Sequence, residues 1–378
     1  MASRNTGGIL LAGGAIFAMF FGAGNIVFPP ILGETWPNAW VSAISGFCLT
    51  GVFVPLLGLI AVVLLSGDVE AFFSPLGAVG ALLLQASIMA IEGPFGIVPR
   101  CFNIAYGGCK AIFPSISSWV FCGFSCMCVG VMTIKKERVI PFIGKFLTPI
   151  KLSFLSLLVL WGLWKATPGQ ESTTGFSLEA FNAGILAGYQ TYDLPGAIYF
   201  SSMAMGYLMT LKNGQSKKIL LLKGIAASCI SAMLLAVMYM AFICLGVQYS
   251  TVLVNVAPED ILPRIVDLSL GRFSTYVYSL VIIIACLTTA VAAISVWTAF
   301  ITKLLRPFKV SYETVLIMSL GIAFVVSSLG FSGIVRFMQP VLQYMYPILI
   351  GVTLVNLWRE INGIYRQKQN VNLPQEKI

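Results

Sequence analysis

The chain has 378 residues, 58% of them hydrophobic and 10% charged, with a mean hydropathy of +0.91. A water-soluble domain of this size does not carry so little charge, and stretch after stretch exceeds the roughly 20 apolar residues that cross about 30 Å of hydrocarbon. The net charge of +9 is not a nucleic-acid footprint, because the Lys and Arg residues gather in alternate loops. There are no histidines, which removes the commonest metal ligand and the usual pH switch.

In chain order, hydropathy and charge placement predict ten membrane spans: 9–32, 38–65, 76–98, 115–134, 146–166, 181–211, 219–247, 273–302, 312–328 and 334–358. The first is a membrane helix and not a cleavable leader. Its apolar run is too long, and it leads into Pro29-Pro30 and a second span with no small-residue cleavage site. The fifth is the shortest apolar run, set between Lys151 and Lys165, whose stems can snorkel from helix ends. With the N-terminus inside, cytoplasmic segments hold 17 of the 23 basic residues. Arg100, Lys110, Lys165, Arg264, Arg272 and Arg336 fall outside. The positive-inside rule then places both termini in the cytoplasm. Residues 1–166 form one five-helix half, 167–358 a second, and 359–378 a polar cytoplasmic tail expected to be disordered. An odd number of spans per half makes the halves insert with opposite orientation, as an inverted repeat requires. The segment 248–272 carries Glu259, Asp260, Asp267, Pro258 and Pro263, and reads as an ordered external loop capping the outer vestibule.

Two spans are interrupted near their middle by polar, glycine-bearing breaks, and each is the first of its half. In the first span the break is Gly22-Ala23-Gly24-Asn25. A broken helix in lipid exposes backbone groups that hydrocarbon cannot satisfy, so it survives where it lines a cavity or a ligand. The half-helix beginning near Asn25 points a positive dipole end and free N–H groups into the membrane, suited to a carboxylate. The half-helix ending near Phe21 offers carbonyls to a cation or ammonium. The competing reading is close helix packing through small residues. The matching break in the sixth span, Gly188-Tyr189-Gln190-Thr191-Tyr192-Asp193, favours a secondary transporter with an inverted repeat.

Asp193 carries the sharpest signal, because a carboxylate at mid-span costs at least about 2.5–3.5 kcal/mol on insertion scales and needs a partner. Three roles compete for it: counter-ion to a substrate ammonium, protonatable coupling group, or N-cap of the half-helix starting Leu194-Pro195. Glu92 precedes Gly93-Pro94. It either faces the permeation path or marks the interfacial end of the third span, since Pro94 and Pro99 argue against a regular helix reaching Arg100. In the eighth span Ala285-Cys286-Leu287-Thr288-Thr289 offers oxygen ligands to a hard cation, against the simpler reading of threonine back-bonding within its helix. The nine cysteines lie mostly in apolar spans, where they act as small hydrophobes. Cys126 and Cys128 lack the partners of a zinc site, and Cys101 and Cys109, placed in one outer loop, are candidates to pair.

At these motifs the chain resembles the branched-chain amino acid:cation symporters, the system II carriers, of the amino acid–polyamine–organocation superfamily. The likeness rests on the run 20–30 around Gly22-Ala23-Gly24-Asn25 and on Gly188 through Asp193. It rests also on Gly93-Pro94 with Ile97-Val98-Pro99-Arg100, and on Ala285 through Thr289. It implies an all-α polytopic protein with a LeuT-like five-plus-five inverted repeat in which helices 1 and 6 are broken. It implies import of leucine, isoleucine and valine through a bacterial inner membrane, driven by sodium or protons, with no other cofactor. Carried over by motif, Gly22, Ala23, Gly24, Asn25, Gly188, Tyr189, Gln190, Thr191 and Asp193 would hold the amino acid. Sodium would lie between carbonyls near Ala18 and Phe21 and the group Ala285, Thr288 and Thr289, which reverses the spacing-only preference for back-bonding. The family usually has twelve spans against ten here, and usually has methionine where this chain has Tyr192, followed closely by Pro195. The competing classes fare worse. A channel needs a continuous polar pore, and an enzyme needs a catalytic constellation; embedded charge is nearly confined to Asp193 and Glu92.

Overall fold

The structure is a computed structural model that describes residues 2–20, 22–134, 148–165, 175–210 and 216–372. Among the described residues every regular element is helical. In chain order the longer elements are α1 (Ala2–Phe20), α2 (Ala23–Thr35), α3 (Trp40–Cys48), α4 (Val54–Leu64), α5 (Val69–Phe73), α6 (Gly77–Glu92), α7 (Ile97–Ile112), α8 (Ser118–Ile134) and α9 (Thr148–Lys165). They continue with α10 (Leu178–Thr191), α11 (Asp193–Thr210), α12 (Lys217–Gln248), α13 (Ser250–Leu253), α14 (Ile261–Leu270), α15 (Arg272–Leu304), α16 (Tyr312–Ser327) and α17 (Gly330–Asn372). Among the described residues five helical runs are long and apolar enough to cross a membrane, and α1 with α2, bent by 67° at their break, makes a sixth. Segments of α8, α9 and α16 are apolar but shorter.

Lipid offers no hydrophobic force between helices, so close backbone approach and polar contacts must hold the bundle together. Glycine supplies the approach at two crossings. A Cβ on Gly184 would sit 2.1 Å from the Ala43 carbonyl oxygen, and one on Gly246 would sit 2.0 Å from that of Pro30. These crossings belong to a regular pattern. The halves of the first broken span, α1 and α2, pack along α12, while α10 and α11 pack along α3 and α4. The helices α7 and α15 pack on each other at the centre. A π-helical turn, Leu49–Phe53, joins α3 to α4; Thr50 there donates to the Ile185 carbonyl of α10 at 3.0 Å.

Several sequence expectations need correcting. The third span does not end at residue 98: after a turn over 93–96 the chain resumes as α7 and continues to Ile112. Pro99 is tolerated because it occupies the third helical position, where an amide has no acceptor within its helix. Arg100 is therefore inside the protein, only 1% exposed, and leaves the outer basic group. Cys101 and Cys109 are both buried on α7 and all nine cysteines are free. Their helical separation of about 12 Å exceeds the 7 Å a disulfide tolerates. The polar tail does not begin in disorder, since α17 runs on as helix to Asn372. The segment 248–272 is ordered as expected, with the short α13, a 3-10 turn (Pro258–Asp260) and α14. Lys110 at the end of α7 pairs with Asp260 there at 2.9 Å.

Candidate substrate site at the two helix breaks

The first break falls slightly earlier than its motif suggests. Helix α1 stops at Phe20, Gly22 caps α2 in extended conformation, and Ala23 is the first residue of α2. Asn25 stabilises this start by accepting from the Gly22 amide at 3.2 Å. Pro29 and Pro30 lie within α2. In the sixth span Tyr192 alone forms the break, with φ 66° between the end of α10 and the start of α11. That left-handed conformation is uncommon for an aromatic residue. It is held by the Tyr192 hydroxyl, which donates to the Ile88 carbonyl of α6 at 2.7 Å.

The fold brings the two breaks together. Asn25 Nδ2 donates to Asp193 Oδ1 at 2.7 Å, and the Tyr239 hydroxyl of α12 donates to Asp193 Oδ2 at 2.5 Å. Asn25 Nδ2 also donates to the Tyr239 hydroxyl, so the three side chains close a triangle whose exposures run from 0 to 2%. Asp193 is thus the first residue of α11 with its carboxylate turned across to the first span, bonded to side chains of two other spans. Gly24 sits beside the α10 terminus: a Cβ there would lie 3.4 Å from the Gln190 carbonyl.

A second set of contacts ties the α10 terminus to α7. Arg100 Nη1 donates to the Gln190 carbonyl at 2.8 Å, and Nη2 donates to the Gln190 side-chain oxygen. The guanidinium also lies over the Phe28 ring, 5.1 Å from its centroid. A cation at a helix C-terminus is favourable, and a buried charge requires such partners. Thr191 turns back to the Gly188 carbonyl at 2.7 Å. Tyr189 stacks on Tyr346 of α17 with centroids 4.3 Å apart. Gly188 is required for contact with the π-helical turn after α3: a Cβ would meet Thr50 Oγ1 at 2.1 Å.

Of the residues singled out for the amino acid, Gly24, Asn25, Gln190 and Asp193 therefore meet at one point, while Gly188 and Thr191 serve the local geometry of α10. Among the ion candidates, Thr288 and Thr289 both donate to the Ala285 carbonyl, at 2.8 and 3.0 Å. That is back-bonding within α15, and it leaves hydroxyl lone pairs unused. Ala18 is half-buried on α1; Phe21 lies outside the described residues. Two members of the site escaped the sequence. Arg100 was assigned to a loop on account of its prolines. Tyr239 is the one tyrosine inside the 32-residue α12, and its mid-span position is the one available signal.

Two broken helices joined at a buried polar junction, inside a bundle with many apolar crossings, define a membrane transporter. The fold agrees. The chain is similar to MHP1, a nucleobase-cation-symport-1 family transporter in a closed conformation with bromovinylhydantoin bound, at a TM-score of 0.60 and 15% identity over 90% of this chain and 76% of that one. A family model described as Branched-chain amino acid transport protein matches residues 5–373. The chain belongs to that family. It is 31% identical to the branched-chain amino acid permease BrnQ of Bacillus subtilis, over 96% of this chain and 83% of the relative. It is 27% identical to the branched-chain amino acid transport system 3 carrier protein of Pseudomonas aeruginosa, over 97% of this chain and 85% of the relative. To BrnQ of Escherichia coli K12 it is 27% identical, over 93% and 80%.

Proposed function

We propose that the protein imports leucine, isoleucine and valine across a bacterial inner membrane by symport with sodium or protons, through alternating access. The observation that carries this reading is the Asn25–Asp193 hydrogen bond at 2.7 Å, which joins the two broken helices across 168 positions of sequence. The amino-terminal ends of α2 and α11 meet there, and the Gln190 carbonyl at the end of α10 stands beside them. These are donors for a carboxylate and acceptors for an ammonium, the two charged ends of an amino acid. The aliphatic side chain of the substrate would occupy apolar surroundings, where each methylene is worth about 1–3 kcal/mol of discrimination.

Ten spans in two inverted halves fit the packing. If α1–α2 corresponds to α10–α11, and α3–α4 to α12, then each broken span packs on the second span of the other half, as observed. The central α7–α15 contact then joins the third and eighth spans, which also correspond. Both termini would lie in the cytoplasm. For sodium, the seat would be Ala285, Thr288 and Thr289 with the carbonyls near Ala18 and Phe21. A symporter for another neutral amino acid is the alternative.

Labelled leucine uptake into proteoliposomes tests the reading. Gradient-driven accumulation inhibited by excess isoleucine and valine is the expected result. Accumulation inhibited instead by a different neutral amino acid would move the protein to the alternative, and no accumulation of any neutral amino acid would refute both.

A further inference from the structure

Glu92 takes no part in the junction between the breaks. It is the last residue of α6, and the turn over 93–96 that follows places a third interruption within the helical run Val69–Ile112. Among the described residues its carboxyl makes neither a hydrogen bond nor an ion pair. The neighbouring elements supply few polar groups. From the α10–α11 junction comes Tyr192, whose hydroxyl is already committed to the Ile88 carbonyl one turn before Glu92. From α11 comes Tyr199, whose buried hydroxyl has no partner. Both phenols lie within electrostatic reach of Glu92, as does the Cys101 thiol on α7. From α15 comes Trp297, packed against Gly93 with no ionisable group. The Arg100 guanidinium is taken by Gln190.

The count of embedded charges makes this arrangement informative. Three acidic or basic side chains stand near the middle of spans among the described residues: Glu92, Arg100 and Asp193. One guanidinium offsets one carboxylate, and Asp193 has its own donors as well. The second carboxylate is half-buried and has no fixed counter-charge, and a carboxylate at membrane depth is stabilised by a cation. A hard metal cation takes a cage of about six oxygens, whereas the side-chain oxygens in electrostatic reach of Glu92 are two phenols. A proton needs only the carboxyl itself, and the unpartnered Tyr199 hydroxyl is within its electrostatic reach.

We propose that Glu92 is the seat of the coupling proton. A proton from external water bonds to a Glu92 carboxylate oxygen when substrate loads, crosses as the neutral acid, and is released to cytoplasmic water with the substrate. The inference rests on the reading of the chain as a cation-coupled amino acid carrier.

Two measurements on the full-length protein in proteoliposomes separate the two ideas. Leucine counterflow, which needs no gradient, reports the carrier. Leucine accumulation under an inward proton gradient without sodium reports coupling. The wild type is expected to show both, and Glu92→Gln is expected to keep counterflow while accumulation falls at least tenfold. Proton-driven accumulation retained in Glu92→Gln, or wild-type accumulation that requires sodium, would overturn the proton seat and leave the carrier standing. Absence of wild-type counterflow with any neutral amino acid would overturn the carrier and the inference with it. Should Glu92→Gln yield no folded protein, Glu92→Asp decides. It must retain accumulation with a shifted pH of half-maximal uptake, and a profile superimposed on the wild type would overturn the assignment.

Discussion

Replacing Asp193 by Asn keeps the shape of the junction and removes its charge. In the native triangle the carboxylate accepts from Asn25 at 2.7 Å and from Tyr239 at 2.5 Å. An amide offers one acceptor oxygen and turns an N–H₂ group toward a donor. A hydrogen bond to a charged group contributes about 1.5–3 kcal/mol against roughly 0.5–1.5 kcal/mol for a neutral one, and a buried donor left unmatched costs about 1–3 kcal/mol. Two weakened bonds and one mismatch give about 3–5 kcal/mol. If this is lost from the closed, substrate-loaded state alone, leucine affinity falls by roughly two to three and a half orders of magnitude. The assay is labelled leucine binding to purified protein, followed by uptake into proteoliposomes, which is expected to be abolished. Tyr239→Phe removes one donor and should cost about 1.5–3 kcal/mol. Because both changes act on one triangle, the double variant should lose less than the sum of the single losses. Asp193→Asn with affinity within about threefold of wild type and near-normal uptake would show that the triangle does not couple the breaks, and would remove the ion-pair role of Asp193.

Other expectations follow from the same geometry. Gly188→Ala places a methyl 2.1 Å from Thr50 Oγ1 and 3.0 Å from the Gly51 amide; α10 must move off the π-helical turn Leu49–Phe53, at a cost of about 1–3 kcal/mol, seen as a lowered Tm in detergent. Arg100→Lys exchanges a planar fork for a point charge and breaks the paired contact with Gln190, so leucine binding should weaken at least tenfold while the protein remains folded by thermal-shift measurement. Thr288→Val with Thr289→Ala separates the two candidate ions. With the proton at Glu92, proton-driven leucine uptake should stay within about twofold of wild type, whereas a defect restored by added sodium would mark the threonines as the ion seat. Asp260→Asn breaks an ion pair whose lysine side chain is 47% exposed; an exposed pair contributes at most about 1 kcal/mol, so Tm should change little.

The parts of this architecture that depend on hydropathy and on glycine were legible from the residues alone. Gly22 and Gly24 announced the first break, because uncharged lipid-length spans do not carry such clusters without a reason. Asp193 announced the second through the cost of its charge. The sequence could not show where the carboxylate would point. A cap bonds within its own helix, yet Asp193 reaches to the first span, which no spacing rule encodes. Arg100 is hidden from the sequence because Pro94 and Pro99 argue against a helix there, whereas a proline in the first turn of a helix breaks nothing. The same weighting carries Cys101 and Cys109 into a loop as well. Tyr239 was invisible for a different reason. A tyrosine in an apolar helix is ordinary, and its role comes from the crossing of α12 with α2, a fact of tertiary packing.

The distance in sequence between Asn25 and Asp193 also bears on how the chain is made. The first span enters the membrane when its partner has not yet been synthesised. Until some 168 residues more have been added, the Asn25 amide and the exposed amides of the α2 terminus face lipid or water without their native partners. Gly33 and Gly246 tell the same story, since a Cβ on Gly33 would lie 2.1 Å from the Ile243 carbonyl on a helix still unmade. The amino-terminal half is therefore incomplete by itself, and a chain halted before residue 193 leaves these polar groups without their partners. Joining the breaks makes the meeting of the two halves a checkpoint, so that the junction serving transport also registers the arrival of α11 and α12.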